Sequence, residues 1–344
     1  MSTPQIPAPQ TAVPASSEAS PLILGTMGWT PEDAGLDRAR GALRAGLEAG
    51  VGVLDTADIY GGGASEEAVG TLLAELAPEE RAGLRVQTKA GIVLTELGGD
   101  GRPQVRYDSS PAYLRAALDG SLGRLGVDVV DTLLIHRPDV LTPVEDSVRA
   151  FLDAREAGRV RRLGVSNLGV GRLLAFQRAL ARLSADGTGL ACAQLELGLH
   201  HRTLVEAVVL PNHDAAPATA GAADLGAVCA DEGIELQAWG PLGQGRFTPG
   251  SDGSSTADPA ETASLTAAGG PAAVVAQVAQ EIGVSREAVV LAWLLKLPWG
   301  VRPVVGSQDP GRLAACAQAP AAAAAMDPRQ WHRLWTAARG VALP

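Results

Sequence analysis

Eight short apolar runs, each stopped by polar residues or glycine, recur along the chain, and most of the intervals between them carry helical patterning. The runs are LILGT to Thr26, VGVLD to Asp55, LRVQTK to Lys89, VVDTLLIH to His136, VRRLGVSN to Asn167, GLACAQ to Gln194, IELQAW to Trp239 and VRPVVGS to Ser307. Strand then helix, eight times over, is the signature of an α/β chain closed into a (β/α)8 barrel of the TIM type. With 344 residues, 46% of them hydrophobic, the chain can bury a sizeable core in a single domain. That domain is expected over 21–344. Residues 1–20 are rich in Pro, Ala and Ser and have neither a positive start nor an apolar centre. They read as a disordered leader, not a secretory signal or membrane helix.

The helix starts repeat one chemistry. Thr30-Pro31, Ser110-Pro111, Thr142-Pro143, Asp309-Pro310 and Asp327-Pro328 each pair an oxygen-bearing cap with a proline that needs no hydrogen bond. Thr142 with Glu145 also has capping-box spacing. The Gly/Ser/Thr/Pro-rich stretch from Trp239 to Gly270 reads as an irregular loop, followed by helices near Pro271–Ile282 and Arg286–Leu297. A late extra helix is expected around Trp331 and Trp335, four apart and so on one face. Trp293, on AVVLAWLLKL, reads as core. The polar insertion at 212–221 suggests no role.

A net charge of −10 and a pI near 5.0, with no basic stretch, argue against nucleic acid or an anionic membrane as partner. Cys192, Cys229 and Cys316 sit far apart in apolar surroundings, which suits free thiols in a reducing cytoplasm. A monomer is the default, since no long exposed apolar strand or heptad run occurs. His200-His201 would point apart on a regular element and have no acidic or thiol partner at ligand spacing, so no metal is expected.

The second run opens the densest chemistry. In VGVLDTADIYGGGASEE, Val51 to Glu67, Tyr60 can fold back beside Asp55 only if the chain turns at once, which three glycines permit by accepting φ > 0. Lys89, one of only two lysines among 28 basic residues, ends the third run, and His136 ends the fourth. A phenol near pKa ~10 is a poor proton donor or acceptor at neutral pH. An adjacent ammonium should lower that value, and a carboxylate should hold the ammonium in place. His136 could orient a carbonyl oxygen over Tyr60. None of the four carries hydride, so a cofactor must supply it. Neither a Rossmann fingerprint nor a P-loop is present, which sends the cofactor to the barrel mouth. There Ser166, Asn167 and Gln194 could bond a carboxamide, Trp239 could stack on a flat ring, and Gly306-Ser307 with Arg312 would set a hydroxyl and a guanidinium at a helix N-terminus suited to phosphate.

At these residues the chain resembles the aldo-keto reductase family over roughly residues 20 to 340. The resemblance is carried by DTADIYGGGASE, TKAG, LLIHRPD, GVSN, QAWGPLGQGR and VVGS followed by Arg312, and the tail from GRLAACAQ to DPRQWHRLWTAARG is similar to bacterial members of the longer-loop branch. It implies a TIM barrel and NADPH-dependent reduction of a small-molecule aldehyde or ketone, with a catalytic tetrad of Asp55, Tyr60, Lys89 and His136 in which Tyr60 is the general acid. It also implies cofactor contacts from Gly25, Thr26, Ser166, Asn167, Gln194, Trp239, Gly240, Pro241, Leu242, Gly243, Gly245, Arg246, Gly306, Ser307 and Arg312. The family often has a lysine just before that serine; here Gly306 stands in its place, so Ser307 and Arg312 carry the preference for NADPH over NADH. Two alternatives stay open: a sugar dehydrogenase using NAD or NADP, and a non-catalytic nucleotide-binding redox sensor.

Overall fold

The computed structural model describes residues 20–97, 103–210, 224–248, 265, 267 and 269–344. The leader expected over 1–20 (all but Ser20), the insertion at 212–221 and most of the stretch between Thr248 and Gly270 lie outside the described residues.

Each of the eight apolar runs supplies one barrel strand, with β3 and β8 running one and two residues past the run: β1 (Ile23–Gly25), β2 (Val53–Asp55), β3 (Arg85–Ala90), β6 (Val130–Ile135), β7 (Val160–Ser166), β8 (Cys192–Glu196), β9 (Glu235–Trp239) and β10 (Arg302–Val305). Every pairing among them is parallel, and the order β1-β10-β9-β8-β7-β6-β3-β2 closes on itself. Closure removes the sheet edges, and helices then cover the outside. An antiparallel hairpin, β4 (Ile92–Leu97) with β5 (Pro103–Tyr107), leaves the barrel after β3 and was not expected. Its signal lies in β-prone IVLTEL and alternating PQVRY on either side of Gly98-Gly99-Asp100-Gly101.

Three of the five cap readings hold. Ser110 accepts from the Tyr113 amide, Asp309 from Gly311 and Arg312, and Asp327 from Gln330, whose side chain completes a capping box. Two do not. The first helix spans Asp33–Glu48 with Glu32 as its cap, and the helix between β6 and β7 spans Val144–Glu156 with Pro143 as its cap. Thr142 instead donates to Asp139 Oδ2 at 2.6 Å, and Glu145 pairs with Arg182 at 2.9 Å, so that capping box does not form. The helices Pro271–Ile282 and Arg286–Leu295 and the late helix Pro328–Arg339 follow expectation. Trp293 is fully buried and stacks on Trp331, with centroids 5.1 Å apart and planes at 7°, while the Trp331 indole N–H donates to the Trp293 carbonyl.

The main apolar core lies between strands and helices; Leu72, Leu118, Phe176, Val278 and Leu291 belong to it. Inside the barrel Ile23, Val53 and Val304 form a small cluster of their own. The remaining lumen residues include Gln87, Lys89, Gln194 and Gln237, nearly sealed from solvent. All three cysteines are buried and free. No helix among the described residues is long and apolar enough to cross a membrane.

Candidate active site

Strand β2 delivers Asp55 to the C-terminal end of the barrel, and the chain turns immediately. The Asp58 amide donates to the Lys89 carbonyl and the Tyr60 amide to Ala57, both at 3.1 Å, which folds the loop back over β3. Gly61, Gly62 and Gly63 follow with φ of 60°, 66° and 105°. A Cβ on Gly63 would also stand 2.7 Å from the Arg124 side chain, so glycine is needed there for space as well as for its backbone.

Lys89 is 1% exposed, and its ammonium donates to Asp55 Oδ2 at 2.7 Å, to the Thr56 carbonyl at 2.9 Å and to the Tyr60 hydroxyl at 3.1 Å. Three protons meet three acceptors, so the ammonium is fully satisfied. Burial opposes its charge, but Asp55 and Tyr60 outweigh burial and raise its pKa. Tyr60 is raised too. Burial of the phenol is the larger effect and exceeds the lowering by Lys89, so the expectation of a depressed phenol is corrected. Because the Lys89 N–H points at the phenol oxygen, the phenol's own proton is left to another acceptor.

His136 meets Tyr60 edge to face, with centroids 5.9 Å apart. Burial, then the charges of Lys89 and Arg137, push its pKa down to about 3, so the ring is neutral across the physiological range. Its Nδ1 is buried without a partner. A proton there would be an unmet buried donor, which favours the tautomer carrying it on Nε2.

Beneath this group lies a polar lattice that was not anticipated. Gln87 and Gln194 donate to Asp55 Oδ1 at 2.6 and 2.9 Å, and both donate to Gln237 Oε1 at 2.8 and 3.0 Å. Gln237 returns a bond to Gln87 at 3.1 Å and reaches Glu235, which pairs with Arg302. Gln87 and Lys89 are two apart on β3 and therefore share its lumen face. That periodicity was the available signal for Gln87, as was the glutamine inside IELQAW for Gln237.

A cleft of about 490 Å³ opens above these residues. Asp55, Tyr60 and His136 line it, as do Gly25, Ser166, Asn167, Gln194, Trp239, Gly240, Pro241, Leu242, Gly245, Gly306, Ser307 and Arg312. Lys89 sits behind Tyr60. Three expected contacts are not among the residues that line the cleft, Thr26, Gly243 and Arg246: Thr26 is fully buried and clamps the Asp55 carbonyl through its amide and hydroxyl, and Gly243 packs on the His200 ring. Residues that line the cleft without having been singled out include Met27, Ile59, Ile92, Arg137 and Gln244.

The outer wall is braced by its own bonds. Asn167, at φ 60°, donates to the His136 carbonyl and to Ser166 Oγ, and accepts from the Trp239 indole at 3.1 Å. Arg312 donates to the Thr248 carbonyl at 3.2 Å and lies 3.4 Å from Glu287. At the helix start at Pro310, Asp309 takes the Gly311 and Arg312 amides, as its reading as a cap implies, so the Ser307 hydroxyl and the Arg312 side chain are the groups left to meet an anion. His200 and His201 do have an acidic neighbour, contrary to expectation: Glu196 lies 3.1 and 3.8 Å from them. Among the described residues no cluster of three or more such side chains could hold a metal.

The model of the Aldo/keto reductase family matches residues 21–336. A 6-dehydroglucose reductase of Novosphingobium aromaticivorans is 33% identical, over 93% of this chain and 90% of that one. A protein of the same name in Agrobacterium fabrum is 31% identical over 87% of this chain and 86% of its own. Among solved structures, the glycerol dehydrogenase AKR11B4 of Gluconobacter oxydans superposes with a TM-score of 0.67 at 26% identity, covering 88% of this chain and 86% of that one.

Proposed function

The chain belongs to the aldo/keto reductase family of oxidoreductases, and we propose that it uses NADPH to reduce an aldehyde or ketone to the alcohol, with Tyr60 as general acid. One observation carries this reading: the Lys89 ammonium is held between Asp55 and the Tyr60 hydroxyl, 2.7 and 3.1 Å away, at the base of a cleft that Tyr60 and His136 both line.

The residues fit a nicotinamide cofactor. Asn167 fixes the Trp239 indole beside the cleft, and Gln194 keeps its amide nitrogen on Asp55 and Gln237, so its oxygen is the atom suited to a carboxamide. NADPH, when bound, supplies the hydride that goes to the carbonyl carbon. The substrate oxygen then takes the Tyr60 proton, and the phenolate left behind is stabilised by Lys89. His136, neutral and protonated on Nε2, donates to that oxygen and aims it at the phenol. The raised pKa of Tyr60 keeps its proton in place through neutral pH, which suits reduction; oxidation needs the phenolate and therefore alkaline conditions. The choice of NADPH over NADH rests on charge. Asp55, deep and paired with Lys89, is the one carboxylate lining the cleft among the described residues, so no lining acid is offered to a ribose diol, whereas the Arg312 side chain on the same wall suits a phosphate.

A sugar aldehyde is the second reading, favoured by the 6-dehydroglucose reductases among the relatives and by Arg137 on the cleft wall, whose guanidinium can donate to hydroxyl groups. Three buried, free thiols suit the cytoplasm. The test is Tyr60→Phe, assayed by NADPH consumption on a panel of aldehydes, ketones and sugars. Ring packing is kept and turnover should fall by about 10² to 10⁴; a variant that keeps most of its turnover removes Tyr60 from the acid role.

A further inference from the structure

Three residues past Asp55 lies a second carboxyl that the proposed chemistry does not use. Asp58 Oδ1 is sealed from solvent without a hydrogen-bond partner, while Oδ2 lies 3.1 Å from the Tyr113 hydroxyl. The same hydroxyl lies 3.2 Å from the carbonyl oxygen of Ile92, a cleft-lining residue at the root of the β4–β5 hairpin. A phenol has one proton and here faces two acceptors. If Asp58 is ionised, one acceptor goes unmet and a charge is left buried without a cation. A proton on Asp58 resolves both: the carboxyl donates to the phenol oxygen, and the phenol donates to Ile92.

We propose that Asp58 is a positioning residue that works as the neutral acid, latching the loop that carries Tyr60 to the root of the hairpin through Tyr113. Its surroundings agree. Burial raises its pKa to about 7, the charge of Glu66 adds to this, and the Tyr113 hydrogen bond, the charge of Arg124 and the Ile59 amide oppose it. Arg124 cannot act as its counter-ion, because that guanidinium is bonded to fully buried Glu66 at 2.7 and 2.8 Å. Burial raises the Tyr113 phenol, the charge and hydrogen bond of Asp58 and the charge of Asp108 add to this, and the Gly91 backbone opposes it. Tyr60 feels Asp58 as a charge that resists phenolate formation. Loss of the Asp58 proton therefore opens the latch and opposes proton transfer from Tyr60, and both slow reduction. No member of the tetrad with a resolved shift titrates near neutrality, since Tyr60 and Lys89 are raised and His136 is pushed down to about 3.

The proposal rests on Tyr60 being the acid, so the experiment has one readout that needs no turnover. The rate of carbonyl reduction should fall about tenfold between about pH 6 and about pH 8, as one group titrating near 7 requires. In Asp58→Asn, which keeps a neutral donor that cannot ionise, the profile should be flat across that window and the low-pH rate within about threefold of wild type. An inflection that persists in Asp58→Asn overturns the proposal. Infrared difference spectra supply the second readout: a protonated-carboxyl stretch, lost as pH rises through 7, should appear in the wild type and equally in inactive Tyr60→Phe. Its absence from both refutes a neutral Asp58 whatever Tyr60 does, whereas its presence with a flat wild-type rate profile removes the coupling to catalysis. If Asp58→Asn does not fold, Tyr113→Phe replaces it and should move the midpoint of the band and lower the rate below pH 7; an unchanged midpoint and rate overturn the latch.

Discussion

The two ends of the cleft are built by opposite means. At its base, Asp55, Lys89, Gln87, Gln194 and Gln237 stand on strands, are at most 3% exposed, and hydrogen-bond one another. At its rim, Ser307 and Arg312 are partly exposed beside an element end, and Gln244 and Gly245 turn through positive φ. Dipoles fixed in a water-poor lumen act strongly and feel little salt. Charges at a wet rim act weakly, are screened, and can be altered without disturbing the barrel. The base is thus suited to chemistry and the rim to the choice of cofactor. Each substitution below asks whether that division is real.

The largest effect is expected at the base. Lys89→Met should lower turnover by at least the ~10² to 10⁴ assigned to Tyr60, because the cation that stabilises the phenolate is gone. It should also destabilise the fold by about 3–5 kcal/mol, since Asp55 is left buried and without its cation. Adding Asp55→Asn should recover much of that stability and none of the turnover. NADPH binding, followed by fluorescence titration, should weaken far less than turnover, and neither loss should respond to salt. Cofactor binding that collapses in step with activity would make the base and rim a single unit and end the comparison.

This division also explains what was legible in the sequence. Barrel strands announce themselves because each is an apolar run stopped by polar residues or glycine at the mouth, so Asp55, Lys89, His136, Ser166 and Gln194 could be placed from the pattern alone. The glutamine lattice hid inside those runs, where a single polar residue among apolar neighbours signals a lumen position only once the barrel is assumed. The rim is less legible, because long-range partners decide it. Thr142 looks like a helix cap until Asp139 is seen to bond its hydroxyl as well as the Ser109 and Leu141 amides. His200 and His201 look unpartnered until Glu196 is seen 3.1 and 3.8 Å away. Burial likewise reversed the expected shift of Tyr60, since sequence shows that an ammonium is near but not how dry the phenol is.

A smaller effect belongs to Arg312. Its guanidinium is steadied by the Thr248 carbonyl and Glu287, and the side chain is still 29% exposed. Arg312→Ala should weaken NADPH by about ten- to a hundredfold, the range of a lost charge-assisted contact of roughly 1.5–3 kcal/mol. NADH lacks the 2′-phosphate and should be weakened little. The difference should shrink as salt is raised, unlike anything at the base. Equal weakening of both cofactors would give Arg312 a purely structural role.

The smallest effect should have the opposite sign. Asp309 caps the helix at Pro310 and accepts the Gly311 amide at 2.8 Å, while its own amide donates to Ser307 Oγ at 3.2 Å. A carboxylate so close to a proposed phosphate contact repels the phosphate, and it also withdraws from the anion two amides that a helix start would otherwise offer. Asn is an equally good cap, so Asp309→Asn keeps the helix and removes only the charge. NADPH should then bind about two- to fivefold more tightly, the worth of a partly exposed charge at about 0.3–1 kcal/mol. NADH should be unaffected, turnover at saturating cofactor unchanged, and the gain should fade at high salt because the group is exposed. Isothermal titration of both cofactors at two ionic strengths would read this directly. If NADPH binds no better, the phosphate does not lie against Ser307, and the cofactor preference must be carried by Arg312 alone or by residues on another stretch of the rim.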